Sequence, residues 1–125
     1  MIVGIGTDVA RIARFERAVA RHGERFVERI LGADERRAFV ERGRSPAFLA
    51  KRFAAKEAFV KALGTGLRDG LSWHEVQVDN DALGRPRLSL SGRALELALA
   101  AGVTSTHVSL SDESDVAVAF VLLEG

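Results

Sequence analysis

The segment from Ser45 to Gly64 restricts the possible folds more than any other part of the sequence. Serine is a preferred N-cap residue, proline is favoured in the first turn of a helix, and glycine commonly follows the last turn. Ser45, Pro46 and Gly64 occupy these positions in order. We therefore predict one long helix over residues 46–63, against which the rest of the chain packs.

Three charged residues, Lys56, Glu57 and Lys61, lie in the second half of this predicted helix. Apolar side chains occupy much of its circumference, namely Phe48, Leu49, Phe53, Phe59, Val60 and Leu63. A charge on a buried helix is costly unless it is paired, hydrogen-bonded or bound to an ion. Lys61 can neutralise Glu57 one turn before it, or bind an anion that shares a metal with Glu57. The alternative is an exposed ion pair that contributes only about 0.2 to 0.5 kcal/mol.

The rest of the chain alternates between helical and strand periodicities. The predicted elements are a strand over 2–8, helices ending at Gly23, Gly32 and near Gly43, a hairpin of 75–79 with 87–90, a helix over 94–101, and strands over 107–110 and 116–123. This order predicts an α+β fold with an antiparallel sheet. At 125 residues the chain has the size of one ordinary domain, so we predict a single domain over residues 1–125.

Composition excludes several classes of function. The chain contains no cysteine, which removes disulfides, thiolate metal sites and a cysteine nucleophile, and is compatible with the reducing cytoplasm. The first apolar run ends at Asp8, too early for a signal peptide or a membrane span. The net charge of +1 favours neither nucleic acid nor an acidic membrane as a partner. We therefore expect a cytoplasmic protein.

Asp8 and His107 are further candidate site residues, each with a structural alternative. Asp8 ends the first predicted strand, where an aspartate is as often a helix N-cap as part of a site. Mg²⁺ is usually held by one or two carboxylates with waters and phosphate oxygens, and Asp8 plus Glu57 would satisfy that requirement. Their spacing leaves open whether they meet. His107 begins the segment HVSLS, and a structural role is its better interpretation from the residues alone.

Arginines recur along the segment that follows the first predicted strand. Arg11, Arg14, Arg21 and Arg25 would lie along one side of a helix if the segment stays helical. Such a stripe can bind an acidic partner, or it can be a solvated surface with interspersed glutamates. The residues alone leave both interpretations open.

Three blocks of sequence together point to a known family. They are GIGTDVARIARF at 4–15, KRFAAKEAFVKALGTG at 51–66 and HVSLSDE at 107–113, and the stretch at 70–88 agrees with them. In these blocks the chain resembles the holo-acyl-carrier-protein synthases, the small bacterial type of 4'-phosphopantetheinyl transferase. The resemblance runs nearly from end to end and implies the fold of that family.

The resemblance also implies an activity and a set of site residues. Members of this family transfer phosphopantetheine from coenzyme A to a serine of apo acyl carrier protein for fatty acid biosynthesis, releasing adenosine 3',5'-bisphosphate. By resemblance, Asp8 and Glu57 hold Mg²⁺ on the pyrophosphate, and Glu57 and Lys61 are the catalytic residues. The positions that match the coenzyme A cleft are Arg52, Lys61, Gly64 and His107. On this interpretation a metal and a pyrophosphate balance the charges of Lys56, Glu57 and Lys61.

The family implies macromolecular partners as well. Its small members are homotrimers with the coenzyme A cleft between neighbouring subunits, so a second copy of this chain would complete the site. Acyl carrier proteins are acidic, and Arg14, Arg21 and Arg25 would orient one by charge. The candidates for accepting the serine proton are a metal-bound water, Glu57, Asp34 and Glu35.

Two alternatives stay open beside the family activity. A nucleic-acid-binding module would use the arginine stripe and leave Glu57 and Lys61 as a surface pair. The balanced charge and the lack of interleaved aromatic residues disfavour it. A different Mg²⁺-dependent enzyme would use the same scaffold on another nucleotide pyrophosphate. Competition between coenzyme A and other nucleotides distinguishes that enzyme from the family activity.

Overall fold

The computed structural model describes residues 1–65 and 70–125. Gly66, the last residue of the block at 51–66, lies outside these described residues. In chain order the elements are strand β1 (Ile2–Arg11), helices α1 (Ile12–His22), α2 (Glu24–Ile30), α3 (Ala33–Glu41) and α4 (Pro46–Leu63), a 3₁₀ helix (Trp73–Glu75), strands β2 (Val76–Asn80) and β3 (Pro86–Leu90), helix α5 (Gly92–Ala100), and strands β4 (Ser105–Glu113) and β5 (Val116–Glu124).

The strands of the described residues form two antiparallel sheets. In the larger sheet β5 lies between β1 and β4, and β2 pairs with β3 as a separate hairpin. The predicted hairpin of β2 with β3 is therefore confirmed, and the last two predicted strands, β4 and β5, pair with each other. The combination of helices with antiparallel strands confirms the predicted α+β class.

Helix α4 begins and ends where the sequence predicts. Oγ of Ser45 accepts a hydrogen bond from the backbone N–H of Phe48 (3.3 Å), and Pro46 is the first helical residue. Gly64 follows the last turn in a left-handed conformation with φ of 85°. The helix packs mainly against β1 and β5. Neither α4 nor any other helix in the described residues is long and apolar enough to cross a membrane.

Two glycines let β1 approach α4 closely. A Cβ atom at Gly4 would lie 2.0 Å from the carbonyl oxygen of Ala62, and one at Gly6 would lie 2.1 Å from that of Ala58. A larger residue at either position would push the strand away from the helix. The close contact fixes the position of Asp8, because Asp8 follows Gly6 by two residues on the same face of the strand.

Several strands are longer than the sequence predicts. Strand β1 continues to Arg11 because residues 9–11 pair with residues 116–118 of β5. Strands β4 and β5 likewise pair from Ser105 with Glu124 to Glu113 with Val116. Arg11 therefore belongs to a strand and not to the predicted arginine stripe.

The face of the larger sheet that points away from α4 is apolar and exposed. Ile5 and Val9 of β1 are 59% and 63% exposed, and they alternate with residues that face α4. Phe120 of β5 is 40% exposed and pairs with Thr7, so it projects from the same face. Exposed apolar patches of this kind commonly mark a surface of interaction.

Candidate active site

Strand β1 and the second half of α4 bring together three predicted site residues, Asp8, Glu57 and Lys61, which we call the carboxylate cluster. Nζ of Lys61 donates to Oδ1 of Asp8 (3.0 Å) and to the backbone carbonyl of Thr7 (3.1 Å). The side chain of Lys61 is 53% exposed and that of Asp8 is 15% exposed, so the cluster opens to solvent on the lysine side. Gly64 is exposed at the same end of α4.

Glu57 joins the cluster from the turn of α4 that precedes Lys61. Burial raises the pKa of Glu57, the negative charge of Asp8 raises it further, and the charges of Lys61 and Arg14 oppose both effects. In the described part of the chain Glu57 forms no ion pair. The predicted alternative of an exposed Glu57–Lys61 pair is therefore wrong, because Lys61 pairs with Asp8 instead.

The donor atoms of the carboxylate cluster fit a hard divalent cation. Asp8 and Glu57 supply two carboxylates, and their repulsion contributes to the raised pKa of Glu57. In residues 1–65 and 70–125, no three acidic, histidine or cysteine side chains gather as they would around a metal bound by protein alone. Mg²⁺ does not need such a set, because it usually keeps waters and phosphate oxygens beside one or two carboxylates.

Lys56 takes no part in this cluster. Its side chain is fully buried, and Nζ donates to Oε1 of Glu35 (2.6 Å) and to the backbone carbonyls of Ile30 (2.6 Å) and Trp73 (3.0 Å). The prediction that a metal and a pyrophosphate balance the charge of Lys56 is therefore wrong. Its counter-ion is Glu35, which lies 21 residues earlier in the chain.

Glu35 is fully occupied by that buried network. Its Oε1 accepts from Lys56 and from the backbone N–H of Gly32 (3.0 Å), and its Oε2 accepts from the backbone N–H of Val78 (2.9 Å). The residue is 2% exposed, so its carboxylate cannot reach a substrate hydroxyl. The structure therefore excludes Glu35 as the proton acceptor. Asp34 is exposed, so its role as a candidate proton acceptor stays a prediction.

Arg52 is buried against the β2–β3 hairpin. Its Nη2 donates to Oδ1 of Asn80 (3.1 Å), and its guanidinium lies 4.3 Å from the ring centroid of Phe48. Its Nε is buried without a hydrogen-bond partner in the described residues, and burial lowers the pKa of the side chain. With Arg42 and Lys51, the side chain lines a cleft of about 230 Å³, which we call the Arg52 cleft. A buried donor without a partner is costly, so the position of the Arg52 guanidinium beside the cleft reduces the stability of the fold.

His107 lies on β4 beside a larger cleft of about 560 Å³. Its Nε2 is 3.1 Å from Oε1 of Glu124, and the two side chains hydrogen-bond at the surface. Arg87 of the β2–β3 hairpin lines the same cleft. This cleft adjoins the Arg52 cleft, because Pro86 forms part of both walls. Arg52 and His107 thus belong to one surface, on which Arg85 and Arg87 are paired with Asp81 and Asp79.

His107 and the carboxylate cluster lie apart in a single chain. Asp8 pairs with Ala119 of β5, which also pairs with Leu110 of β4, so Leu110 shares the α4-facing side of the sheet with Asp8. His107 precedes Leu110 by three positions, and alternation along the strand turns it to the opposite face. Strands β1 and β4 are also the two edges of the larger sheet. One chain therefore does not bring His107 to the carboxylate cluster.

The predicted arginine stripe spans two helices, because α1 ends before Gly23, whose φ is 62°. Arg14 of α1 lies close enough to the carboxylate cluster to lower the pKa of Glu57. Arg21 and Arg25 line a cleft of about 390 Å³ where α1 meets α2. In the described residues none of these three arginines forms an ion pair. Their charges are thus free for a partner.

Several basic residues of these surfaces were not predicted from the sequence, among them Arg29, Arg42 and Lys51. Arg29 lines the same cleft as Arg21 and Arg25. The sequence contains a usable signal for Arg29, because this residue continues the four-residue spacing of Arg21 and Arg25. It contains no such signal for Arg42 and Lys51, because the Arg52 cleft forms only when α4 packs against the β2–β3 hairpin.

Comparison with known proteins identifies the family. The family model described as the 4'-phosphopantetheinyl transferase superfamily matches residues 4–121. The chain belongs to this superfamily. A holo-[acyl-carrier-protein] synthase of Halorhodospira halophila is 54% identical to this transferase over 123 residues, which cover 98% of each chain. One from Vibrio vulnificus is 55% identical over 123 residues, again 98% of each chain.

Solved structures of holo-[acyl-carrier-protein] synthases have the same fold as this phosphopantetheinyl transferase. The protein from Neisseria meningitidis has a TM-score of 0.92 and 42% identity over 100% of each chain. That from Bacillus anthracis, solved in complex with CoA (3',5'-ADP), has a TM-score of 0.80 and 39% identity over 99% of this chain and 97% of that one. That from Helicobacter pylori, in complex with coenzyme A, has a TM-score of 0.84 and 29% identity over 96% and 99%. The predicted family and the predicted class of enzyme are confirmed.

Proposed function

We propose that this chain transfers the 4'-phosphopantetheine group of coenzyme A to a serine of an apo acyl carrier protein, in support of fatty acid biosynthesis. The serine oxygen bonds to the phosphorus that carries pantetheine, and the bond from that phosphorus to adenosine 3',5'-bisphosphate breaks. The observation that carries this proposal is the contact of Lys61 with Asp8 beside Glu57, in a chain whose relatives are holo-[acyl-carrier-protein] synthases.

In this proposal Asp8 and Glu57 hold Mg²⁺. A cation held by these two carboxylates would offset the negative charge of the pyrophosphate, which is the chemistry that it would supply to the transfer. Lys61 adds positive charge at the same place, and its ammonium is held ready by Asp8 and the carbonyl of Thr7. Because the lysine side chain is half exposed, it can turn from Asp8 to phosphate oxygens without displacing other residues.

Coenzyme A is proposed to contact Arg52, Gly64 and His107. The guanidinium of Arg52 would donate to a phosphate oxygen, and charge-assisted hydrogen bonds of this kind are among the strongest in proteins. The cleft beside His107 has the volume of a small-molecule site, and its wall includes Arg87, which is paired with Asp79. Gly64 presents exposed backbone without a side chain one turn beyond Lys61.

Among the acidic side chains that could accept the serine proton, Glu57 has the best position. It lies within the cluster that receives the pyrophosphate, whereas Glu35 is buried and fully hydrogen-bonded. The raised pKa of Glu57 belongs to the metal-free protein, and a cation held by Glu57 would lower it again. Position, and not basicity, therefore favours Glu57.

The active site is proposed to form between copies of the chain in a homotrimer. A neighbouring copy whose His107 surface faces the carboxylate cluster would unite the two groups of residues that one chain keeps apart. In a cyclic trimer every copy presents one surface and receives the other. The exposed apolar side chains of Ile5, Val9 and Phe120 support this proposal, because such residues are favourably buried between subunits.

Arg14, Arg21 and Arg25 are proposed to bind the acidic acyl carrier protein. Complementary charge mainly accelerates encounter and fixes orientation. Arg14 lies near Glu57, so a carrier protein bound along these arginines would have its serine close to the carboxylate cluster. The reducing cytoplasm, which the cysteine-free composition permits, is the proposed place of action.

Intact-mass spectrometry of a purified apo acyl carrier protein tests the proposed function. The carrier protein is incubated with this protein, coenzyme A and Mg²⁺, and we expect its mass to rise by one phosphopantetheine. The gain should be lost with Glu57→Ala and with a chelator, and should persist with Glu96→Gln, which alters an exposed carboxylate on α5. If folded wild-type protein modifies none of several carrier proteins, the proposal is overturned and another nucleotide pyrophosphate becomes the substrate to seek.

A further inference from the structure

A salt bridge stands at the edge of the Arg52 cleft. Nζ of Lys51 on α4 lies 2.9 Å from Oδ1 of Asp112 near the end of β4. The two side chains are 30% and 39% exposed, so both remain in contact with solvent. Lys51 forms part of the cleft wall, whereas Asp112 does not. The carboxylate of Asp112 therefore holds the ammonium of Lys51 at the cleft from outside.

The cleft has the character of an anion site. Its walls carry the cations of Arg42, Lys51 and Arg52, and no acidic residue among those described. Arg52 is 5% exposed, and its Nε lacks a hydrogen-bond partner in the described residues. Glu35 is near enough to influence the charge of Arg52, but its oxygens are already bonded to Lys56 and to backbone N–H groups. A phosphate in this cleft would meet the cations of Arg42, Lys51 and Arg52.

We propose that Lys51 is a further phosphate-binding residue for coenzyme A, and that Asp112 competes with the phosphate for it. In the free protein Asp112 neutralises Lys51. When coenzyme A binds, one of its phosphate groups pairs with the ammonium of Lys51, and the carboxylate of Asp112 turns to solvent. The exchange is favourable because a solvent-exposed ion pair is weak and this carboxylate is already partly hydrated. The proposal rests on the proposed function, since it takes coenzyme A as the ligand of the cleft.

The competition predicts opposite effects of its two members on affinity. Asp112→Asn frees Lys51 without changing the size of the side chain, so the dissociation constant for coenzyme A falls by about twofold to fivefold. Lys51→Gln removes the cation, so the dissociation constant rises by about fivefold. In the Lys51→Gln background, Asp112→Asn has no further effect. A general gain from removing any negative charge near the cleft would persist in that background.

Isothermal titration calorimetry at a fixed Mg²⁺ concentration measures these effects on the purified, full-length protein. Glu96→Gln is the matched control, because it removes a carboxylate that lies 3.1 Å from Arg93 on α5 and away from the cleft. Thermal melting followed by circular dichroism establishes that each variant is folded, and Lys51→Met replaces Lys51→Gln if the latter is not. Dephospho-coenzyme A, which lacks the 3'-phosphate, is titrated in parallel. A gain from Asp112→Asn that is retained with this ligand assigns Lys51 to the pyrophosphate, and a gain that is lost assigns it to the 3'-phosphate.

The outcomes separate this proposal from the proposed function. Tighter binding by Asp112→Asn that disappears in the double variant supports the competition. Unchanged affinity of Asp112→Asn, or an equal gain in the Lys51→Gln background, overturns it and leaves coenzyme A as the substrate. A folded wild-type protein that does not bind coenzyme A overturns the proposed function, and this proposal with it.

Discussion

Glu57 combines two properties that oppose each other. A half-buried carboxylate beside a second carboxylate favours its protonated form, which is why the pKa of Glu57 is raised. The same surroundings suit it to hold a cation or to accept a proton. In the metal-free protein at neutral pH, however, its ionised form reduces the free energy of unfolding. Sites that trade stability for function in this way are common in enzymes.

We predict that Glu57→Gln stabilises the metal-free protein at neutral pH. Between the unfolded and the raised folded pKa of Glu57, the folded state binds more protons than the unfolded chain, so the stability of the wild type falls as the pH rises through this window. Glutamine has no charge and escapes this loss. With a chelator present, the melting temperature of Glu57→Gln should exceed that of the wild type at about pH 7 and match it below about pH 4.

The same variant should lose function. We expect Mg²⁺ to raise the melting temperature of the wild type but not that of Glu57→Gln, because a bound ligand stabilises only the state that binds it. Transfer should fall by about 100-fold or more, as it does when a preorganised charged group is removed from an active site. A variant no more stable than the wild type at neutral pH would contradict the assigned surroundings of Glu57.

Strand β1 and helix α4 act as one unit because no side chain separates them at Gly4 and Gly6. The backbone of the strand lies directly on the carbonyl groups of Ala58 and Ala62. Asp8 extends from this strand and Lys61 from this helix, so their 3.0 Å contact depends on the separation of the two elements. A change in that separation should therefore affect both stability and metal binding.

We predict that Gly6→Ala lowers the free energy of unfolding by about 1 to 3 kcal/mol, because the added methyl group overpacks the strand against the helix. It should also raise the Mg²⁺ concentration needed for half-maximal transfer, because Asp8 moves away from α4. Urea denaturation and Mg²⁺ titrations measure the two effects. Gly4→Ala is the matched control, since it makes a similar clash but lies two residues further from Asp8. An equal Mg²⁺ effect in both variants would mean general loosening and not displacement of Asp8.

The elements differ in how far the sequence predicts them. Both ends of α4 were predicted correctly, because Ser45, Pro46 and Gly64 act within a few residues of the helix they delimit. The end of β1 was not, because residues 9–11 are strand only through their pairing with residues 116–118 of β5. Local signals therefore determine both ends of α4, whereas pairing with a distant strand determines the end of β1.

In the candidate site, too, the sequence predicts local features but not the contacts between distant elements. Periodicity marked Lys56 and Glu57 alike as charges on an apolar helix, and only the structure separates them. The counter-ion of Lys56 is Glu35, and the neighbours of Glu57 include Asp8, each on an element distant in sequence. In the sequence, only the family resemblance indicates that Asp8 meets Glu57. The strand order that turns His107 to the other face of the sheet has no local signal at all.

At the scale of the whole molecule, the arrangement of charge is the informative feature. The net charge is only +1, yet Asp8 and Glu57 bring two carboxylates together, whereas Arg42, Lys51 and Arg52 bring three cations to the Arg52 cleft. Coenzyme A carries its pyrophosphate and its 3'-phosphate on the same ribose. In the proposed trimer, the carboxylate cluster of one chain would receive the pyrophosphate, and basic residues of a neighbouring chain would receive the 3'-phosphate.

A mixture of two inactive variants should recover activity if the site is shared between chains. Glu57→Gln changes only the carboxylate cluster. His107→Asp changes only the surface that carries Arg52 and His107. The side chain of His107 is exposed, so we expect the fold to tolerate this change. In cyclic trimers assembled at random from equal amounts, about one quarter of the interfaces combine two intact surfaces, so co-expression should restore about one quarter of wild-type transfer. The double variant Glu57→Gln/His107→Asp, co-expressed with wild-type chain, is the control for simple dilution. If each chain contains a whole site, the mixture of single variants stays as inactive as its components, because no chain in it carries both residues.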